Sequence, residues 1–193
     1  ASLNFKFRSR NLVVTFHPVT LESATAEDQL QELLLALEGL KDTGLIFTLP
    51  NADTDGRVLI EMIERFTQRH DNARAYPSLG QLRYLSCVAE CDGVIGNSSS
   101  GIIEVPSLHK ATINIGDRQR GRLRAASVIN CAPLREEISG SIAHMYSSKF
   151  RDGLATVQNP YGDGGASARV CSVICSFPLE GILKKRFFDL VER

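Results

Sequence analysis

The sequence carries no excess of charge: 22 basic residues stand against 22 acidic ones, for a formal net charge of zero and a pI near 7.1. A nucleic-acid or membrane-surface protein shows a basic patch or a basic amphipathic helix, and neither is present. No apolar run approaches the roughly 18 residues of a spanning helix. The opening Ala1-Ser-Leu-Asn-Phe-Lys-Phe-Arg8 lacks the organisation of a signal peptide. A soluble, cytoplasmic protein without nucleic-acid or membrane partners is expected. The five cysteines fall as Cys87-x3-Cys91, Cys131 and Cys171-x3-Cys175, and none has the two-residue spacing of a zinc knuckle or redox site. Spacing of i, i+4 puts each pair on one helical face, so reduced core cysteines are expected. His17, His70, His109 and His144 show no metal-ligand spacing either, so no metal is expected.

Both common phosphate fingerprints are also missing. There is no G-x-x-x-x-G-K-[ST], and Gly162-Asp-Gly-Gly-Ala-Ser167 breaks the dinucleotide pattern at Ser167 and follows no strand. Kinase and NAD chemistry are disfavoured.

What is present is alternation. With 193 residues and 43% apolar content, the chain is long enough for one well-cored domain or half of a two-domain enzyme. Short β-branched or apolar runs at 11–16, 44–49, 73–76, 93–95, 112–115 and 127–130 read as strands. Helical patterns fill 25–40 (with Thr25 and Asp28 as a capping start), 57–70, 78–91, 101–108, 134–150 and 166–176. The expected fold class is α/β: a Rossmann-like, doubly wound parallel sheet covered on both faces. A UDP-binding domain over 1–176 and a helical tail over 177–193 are expected. In such sheets ligands bind beyond the carboxyl ends of the strands, where His17, Asn51, Ser98 and Gly116 all fall.

The richest of these ends is Gly93-Val-Ile-Gly-Asn-Ser-Ser-Ser-Gly-Ile-Ile-Glu104. A strand stops at small polar residues and restarts as a helix, leaving backbone N–H groups and the positive end of a helix dipole facing outward. That arrangement suits an anion, phosphate above all, and Glu104 one turn on suits ribose hydroxyls. A plain serine cap is the competing reading. Gly116-Asp-Arg-Gln-Arg-Gly-Arg122 places three arginines directly after a strand, where a guanidinium can clamp phosphate. His17 closes the first strand and is held by Pro18. Asn159-Pro-Tyr-Gly-Asp-Gly164 reads as a turn.

Together, Phe16-His-Pro-Val-Thr-Leu-Glu22, Pro50-Asn-Ala-Asp-Thr-Asp-Gly56, Gly96-Asn-Ser-Ser-Ser-Gly-Ile-Ile-Glu104, Gly116-Asp-Arg-Gln-Arg-Gly-Arg122 and Asn159-Pro-Tyr-Gly-Asp-Gly164 closely resemble the hydrolysing UDP-N-acetylglucosamine 2-epimerases, which start sialic-acid and legionaminic-acid biosynthesis. The likeness covers nearly the whole chain but only the C-terminal, nucleotide-binding half of such an enzyme. It implies a GT-B architecture with a missing N-terminal Rossmann-like domain, a UDP-sugar substrate, no cofactor and a homo-oligomer at full length. It implies that Ser98 and Ser99 donate to the diphosphate, Glu104 holds the ribose, Arg118 contacts phosphate and the Leu79 backbone binds uracil, with Tyr84 packed nearby. His17 would lie against the diphosphate and assist departure of UDP. Asn51, Asp53 and Arg122 would border the pocket.

The chemistry implied is elimination of UDP to a 2-acetamidoglucal, then hydration to N-acetylmannosamine. The proton-moving carboxylates would lie in the missing domain, leaving the isolated chain inactive. Non-hydrolysing relatives follow the strand-end histidine with two arginines and a glutamate, whereas Pro18-Val19 follow it here. A non-hydrolysing epimerase, a GT-B glycosyltransferase donor domain and a non-catalytic nucleotide-sugar-binding module stay open as alternatives.

Overall fold

Parallel strands covered on both faces appear in sequence as short runs rich in apolar and β-branched residues. Six strands form one sheet here, the inner ones buried and the edge strands at 73–76 and 128–131 partly exposed. The protein is described by a computed structural model over residues 3–19, 26–51 and 54–184, with backbone alone at 54 and 55. The elements are β1 (Arg10–Thr15), α1 (Ala26–Glu38), β2 (Thr43–Thr48), α2 (Thr54–Arg69), β3 (Ala73–Tyr76), α3 (Gly80–Glu90), β4 (Gly93–Gly96) and α4 (Ser100–Ile103). A 3₁₀ turn (Val105–Leu108), β5 (Ala111–Ile115), β6 (Val128–Cys131), α5 (Arg135–Met145), α6 (Ser148–Leu154) and α7 (Ala166–Ser176) follow. The Thr25 cap lies outside the described residues.

All six strands are parallel, in the order β3-β2-β1-β4-β5-β6. This is the expected doubly wound sheet, and its strand order reverses between β1 and β4. Alternate residues feed two cores. Leu12 and Val14 of β1, Leu45 and Phe47 of β2, Ile95 of β4 and Ile113 of β5 pack with α1, α2 and α5. Val13, Ile46 and Val94 face the other way, with Cys87 and Val88 of α3 and with Val105. Each such side chain, fully buried, contributes on the order of 1.5–3 kcal/mol by leaving water.

Two expectations need correction. The helix expected over 134–150 is two helices. Tyr146 ends α5 and Ser147 turns extended (φ −66, ψ 144), its Oγ accepting from the Phe150 amide at 3.3 Å as the N-cap of α6. Serine's preference for capping overrides continuous helical periodicity there. The cysteines are not all core residues: Cys87 and Cys91 are buried, Cys131 is half-buried, and Cys171 and Cys175 are exposed. Residues Ala1–Gly162 form one compact unit and Asp163–Arg193 a second, and α7 of the second unit has no buried residue. Periodicity reveals the apolar face of α7 but not whether anything covers it. Among the described residues no helix is long and apolar enough to cross a membrane.

Candidate functional site

Strand register sets the site. Thr15 lies opposite both Thr48 and Gly96, Thr48 opposite Tyr76, and Gly96 opposite Asn114, so the carboxyl ends of β1 to β5 come level along one edge. The loops bearing His17, Asn51, Leu79, Ser98 and Arg118 leave from that edge. His17 follows β1 and Ser98 follows β4, the two strands that flank the point where the order reverses. A crevice opens at such a point because the connections on either side lead to opposite faces of the sheet.

The turn after β4 depends on glycine. Gly96 has φ +140, and a Cβ there would lie 1.9 Å from the Thr15 carbonyl oxygen. Gly101 lets α4 approach β5: a Cβ would meet Thr112 Cγ2 at 2.6 Å, and Thr112 Oγ1 donates to the Gly101 carbonyl at 2.6 Å. Between them, Gly101 N donates to Ser98 O (3.3 Å) and Ile102 N to Ser99 O (3.0 Å), so the helical ladder begins beyond the Ser98 and Ser99 amides. The Ser98 hydroxyl accepts from the Ser100 amide at 3.4 Å. The helix is shorter than the sequence pattern implied: α4 is one turn, followed at Glu104 by the 3₁₀ turn that contains Pro106. The dipole behind the serines is correspondingly small, so the donors this turn offers are its local N–H and hydroxyl groups.

Asn97 joins the loops. Its side chain is 1% exposed; Oδ1 accepts from the His17 amide and Nδ2 donates to the His17 carbonyl, both at 2.8 Å. Its own amide donates to Thr15 O at 3.2 Å. Its carbonyl accepts from Arg118 Nη1 at 3.0 Å and from Gln119 Nε2 at 2.8 Å, with Gln119 buried beneath the arginine loop. Burial, and then the neighbouring Arg122 guanidinium, lower the Arg118 pKa. A second guanidinium near Arg118 makes this loop locally positive, which is complementary to an anion.

Glu104 is half-buried at the end of α4, near the Tyr84 phenol. Burial raises the Tyr84 pKa, the Ser100 and Thr15 hydroxyls oppose that rise, and Glu104 adds to it. The Tyr84 and Ser100 hydroxyl oxygens nonetheless have no partner at hydrogen-bonding geometry. Leu79 is buried at the start of α3, and Asn51 is exposed beyond β2. Asp53 lies outside the described residues. The structure thus ties His17, Ser98 and Arg118 to one another through Asn97, while Leu79, Glu104 and Asn51 share the edge without a bond to that hub.

Three site-building residues escape sequence reasoning: Asn97, Gln119 and Asn159. Asn159 Nδ2 donates to Ile103 O (2.8 Å) and Ser107 Oγ (2.7 Å), fastening its loop beside Glu104. The available signals were weak: an asparagine after a turn glycine, and one uncharged residue inside an arginine loop. A broad hollow lined by Phe5, Arg8, Asp71 and Arg74 opens at the amino ends of β1 and β3, away from this edge, with Arg8 already paired to Asp71 at 2.9 Å.

A family model described as UDP-N-acetylglucosamine 2-epimerase matches residues 2–175. The polysialic acid biosynthesis protein P7 of Escherichia coli is 40% identical over 186 residues, covering 95% of this chain and 47% of that protein. The GDP/UDP-N,N'-diacetylbacillosamine 2-epimerase (hydrolyzing) of Campylobacter jejuni is 34% identical, covering 98% of this chain and 49% of that protein. The crystal structure of UDP-GlcNAc 2-epimerase from Neisseria meningitidis bound to UDP-GlcNAc superposes with a TM-score of 0.66 at 16% identity, over 89% of this chain and 45% of that one, and shows the shared fold. The chain spans about half the length of the curated relatives it matches.

Proposed function

The chain belongs to the UDP-N-acetylglucosamine 2-epimerase family, and from that premise we propose that it is the UDP-binding half of a hydrolysing 2-epimerase that converts UDP-N-acetylglucosamine and water to N-acetylmannosamine and UDP. The observation that carries the reading is the convergence at the point where strand order reverses: the His17 loop, the Ser98–Ser99 turn and the Arg118 loop meet at Asn97. In the proposed reaction the C2 proton is removed and the C1–O bond breaks, releasing UDP and leaving 2-acetamidoglucal. Water then adds across the double bond, a proton going to C2 and hydroxyl to C1. Negative charge builds on the β-phosphate as C1–O breaks, so donors fixed beforehand stabilise the transition state more than the bound substrate.

The Ser98 and Ser99 donors and Arg118 hold the diphosphate, Arg122 adds positive charge, and Glu104 accepts from the ribose hydroxyls. The Leu79 backbone binds uracil, Asn51 borders the pocket, and His17 assists UDP departure. The carboxylates that move the C2 proton belong to the other half, so the isolated chain binds UDP without turnover. The name of the Escherichia coli relative, a polysialic acid biosynthesis protein, supports a place in sialic-acid synthesis.

A second reading of the sugar is a 2,4-diacetamido sugar, favoured by the name of the Campylobacter jejuni relative. Turnover by the full-length protein in deuterated water tests the reaction. The expected product carries deuterium at C2 of N-acetylmannosamine, with one UDP released per sugar; protium retained at C2 contradicts elimination. Relative kcat/KM for the two nucleotide sugars decides between the readings.

A further inference from the structure

We propose that Asn97 is a positioning residue that sets the catalytic geometry of His17 independently of phosphate binding. The inference rests on the assignment of His17 to UDP departure. One buried carboxamide bonds both backbone polar groups of His17, its amide and its carbonyl, each at 2.8 Å and across 80 residues of sequence. Paired bonds of this kind fix the backbone on both sides of the His17 Cα, and hence the point and direction from which its side chain leaves the loop. Arg118 and Gln119, by contrast, bond the backbone carbonyl of Asn97. The two functions of this residue therefore sit on different atoms: the side chain holds the histidine loop and the main chain holds the arginine loop. Substituting the side chain loosens the first and leaves the second.

The full-length protein tests this with Asn97→Ala, Asn97→Asp, His17→Ala and the double variant carrying both alanines. Asn97→Ala is expected to lower kcat on the order of tenfold to a hundredfold, the scale of a misplaced catalytic group. KM and the inhibition constant for UDP should stay within about threefold, because Arg118 keeps its anchor. In the His17→Ala background the same substitution should change kcat less than about twofold, since the residue acts only through His17. Asn97→Asp keeps the acceptor for the His17 amide but, when ionised, turns an oxygen toward the His17 carbonyl. Its kcat deficit relative to wild type should therefore shrink as pH falls and the carboxyl regains a proton. The Asp variant also decides the matter should the alanine variant not fold.

Wild-type kcat in Asn97→Ala or Asn97→Asp, effects that multiply in the double variant, or UDP affinity lost in step with kcat would each overturn the inference. His17→Ala with wild-type kcat sinks the assignment of His17 itself, a result distinguishable from failure of Asn97 alone.

Discussion

At Gly96 the backbone passes so close to β1 that a single methyl group has no room. Alanine there meets a main-chain carbonyl at 1.9 Å in a conformation that side chains avoid, so the Thr15 strand end and the turn must both shift. Gly96→Ala is expected to destabilise the chain by more than about 3 kcal/mol or prevent folding. Gly101→Ala meets a threonine methyl at 2.6 Å, and is expected to cost roughly 1–3 kcal/mol, the range of an overpacked contact. Urea midpoints rank the two; equal effects contradict the geometry. Residue-scale ionisation gives a second prediction. Burial first, then the Cys87 and Asp92 neighbours, push the Cys91 thiol up to about 12 from its ordinary 9.0. A raised folded pKa means that the unfolded thiol ionises first as pH climbs. The contribution is complete below pH 9 and is lost between about pH 9 and 12, roughly 1.4 kcal/mol of it by pH 10. Between pH 8 and 10, Cys91→Ala should therefore lose less stability than wild type; a parallel decline would contradict the assignment. At this scale the sequence was readable where chemistry is local, as with the serines and arginines at strand ends. It was unreadable at Asn97, whose partners are backbone atoms 80 residues away.

Elements were legible for a different reason. A strand buried on both faces is rich in apolar and β-branched residues, so 11–16 and 112–115 stood out even with Asn11, Thr15, Thr112 and Asn114 buried among them. Helical periodicity marked the covering layers. Periodicity failed at Ser147, where a cap interrupts an apolar pattern that continues through Phe150, and at α4, where Pro106 gives a 3₁₀ turn in place of a longer helix. For α7 it gave the right helix and the wrong surroundings. Val170, Val173 and Ile174 are exposed along with Cys171 and Cys175. A thiol reagent should accordingly modify Cys171 and Cys175 rapidly in the native chain, with Cys131 slower and Cys87 and Cys91 reacting only on unfolding. Mapping the modified peptides by mass checks this; rapid labelling of Cys91 in the native chain would contradict the packing.

On the scale of the whole molecule, the chain spans about half the length of its curated relatives, and the proposed nucleotide site draws on loops of that half. The loops that meet at Asn97 belong to the first compact unit, and in the proposed function binding of the leaving group and the proton chemistry divide between halves. Sequence motifs located this edge because they cluster at strand ends; the network that makes the loops one site came only from the fold. The most direct test is calorimetric titration of UDP and of uridine into this chain and into its Ser98→Ala and Arg118→Ala variants. Diphosphate contacts of the charge-assisted kind contribute roughly 1.5–3 kcal/mol each. UDP should therefore bind one to one and at least about tenfold tighter than uridine, and each variant should narrow that gap. Equal affinity for UDP and uridine, or UDP binding unchanged by both substitutions, would contradict a diphosphate site at the Ser98 turn.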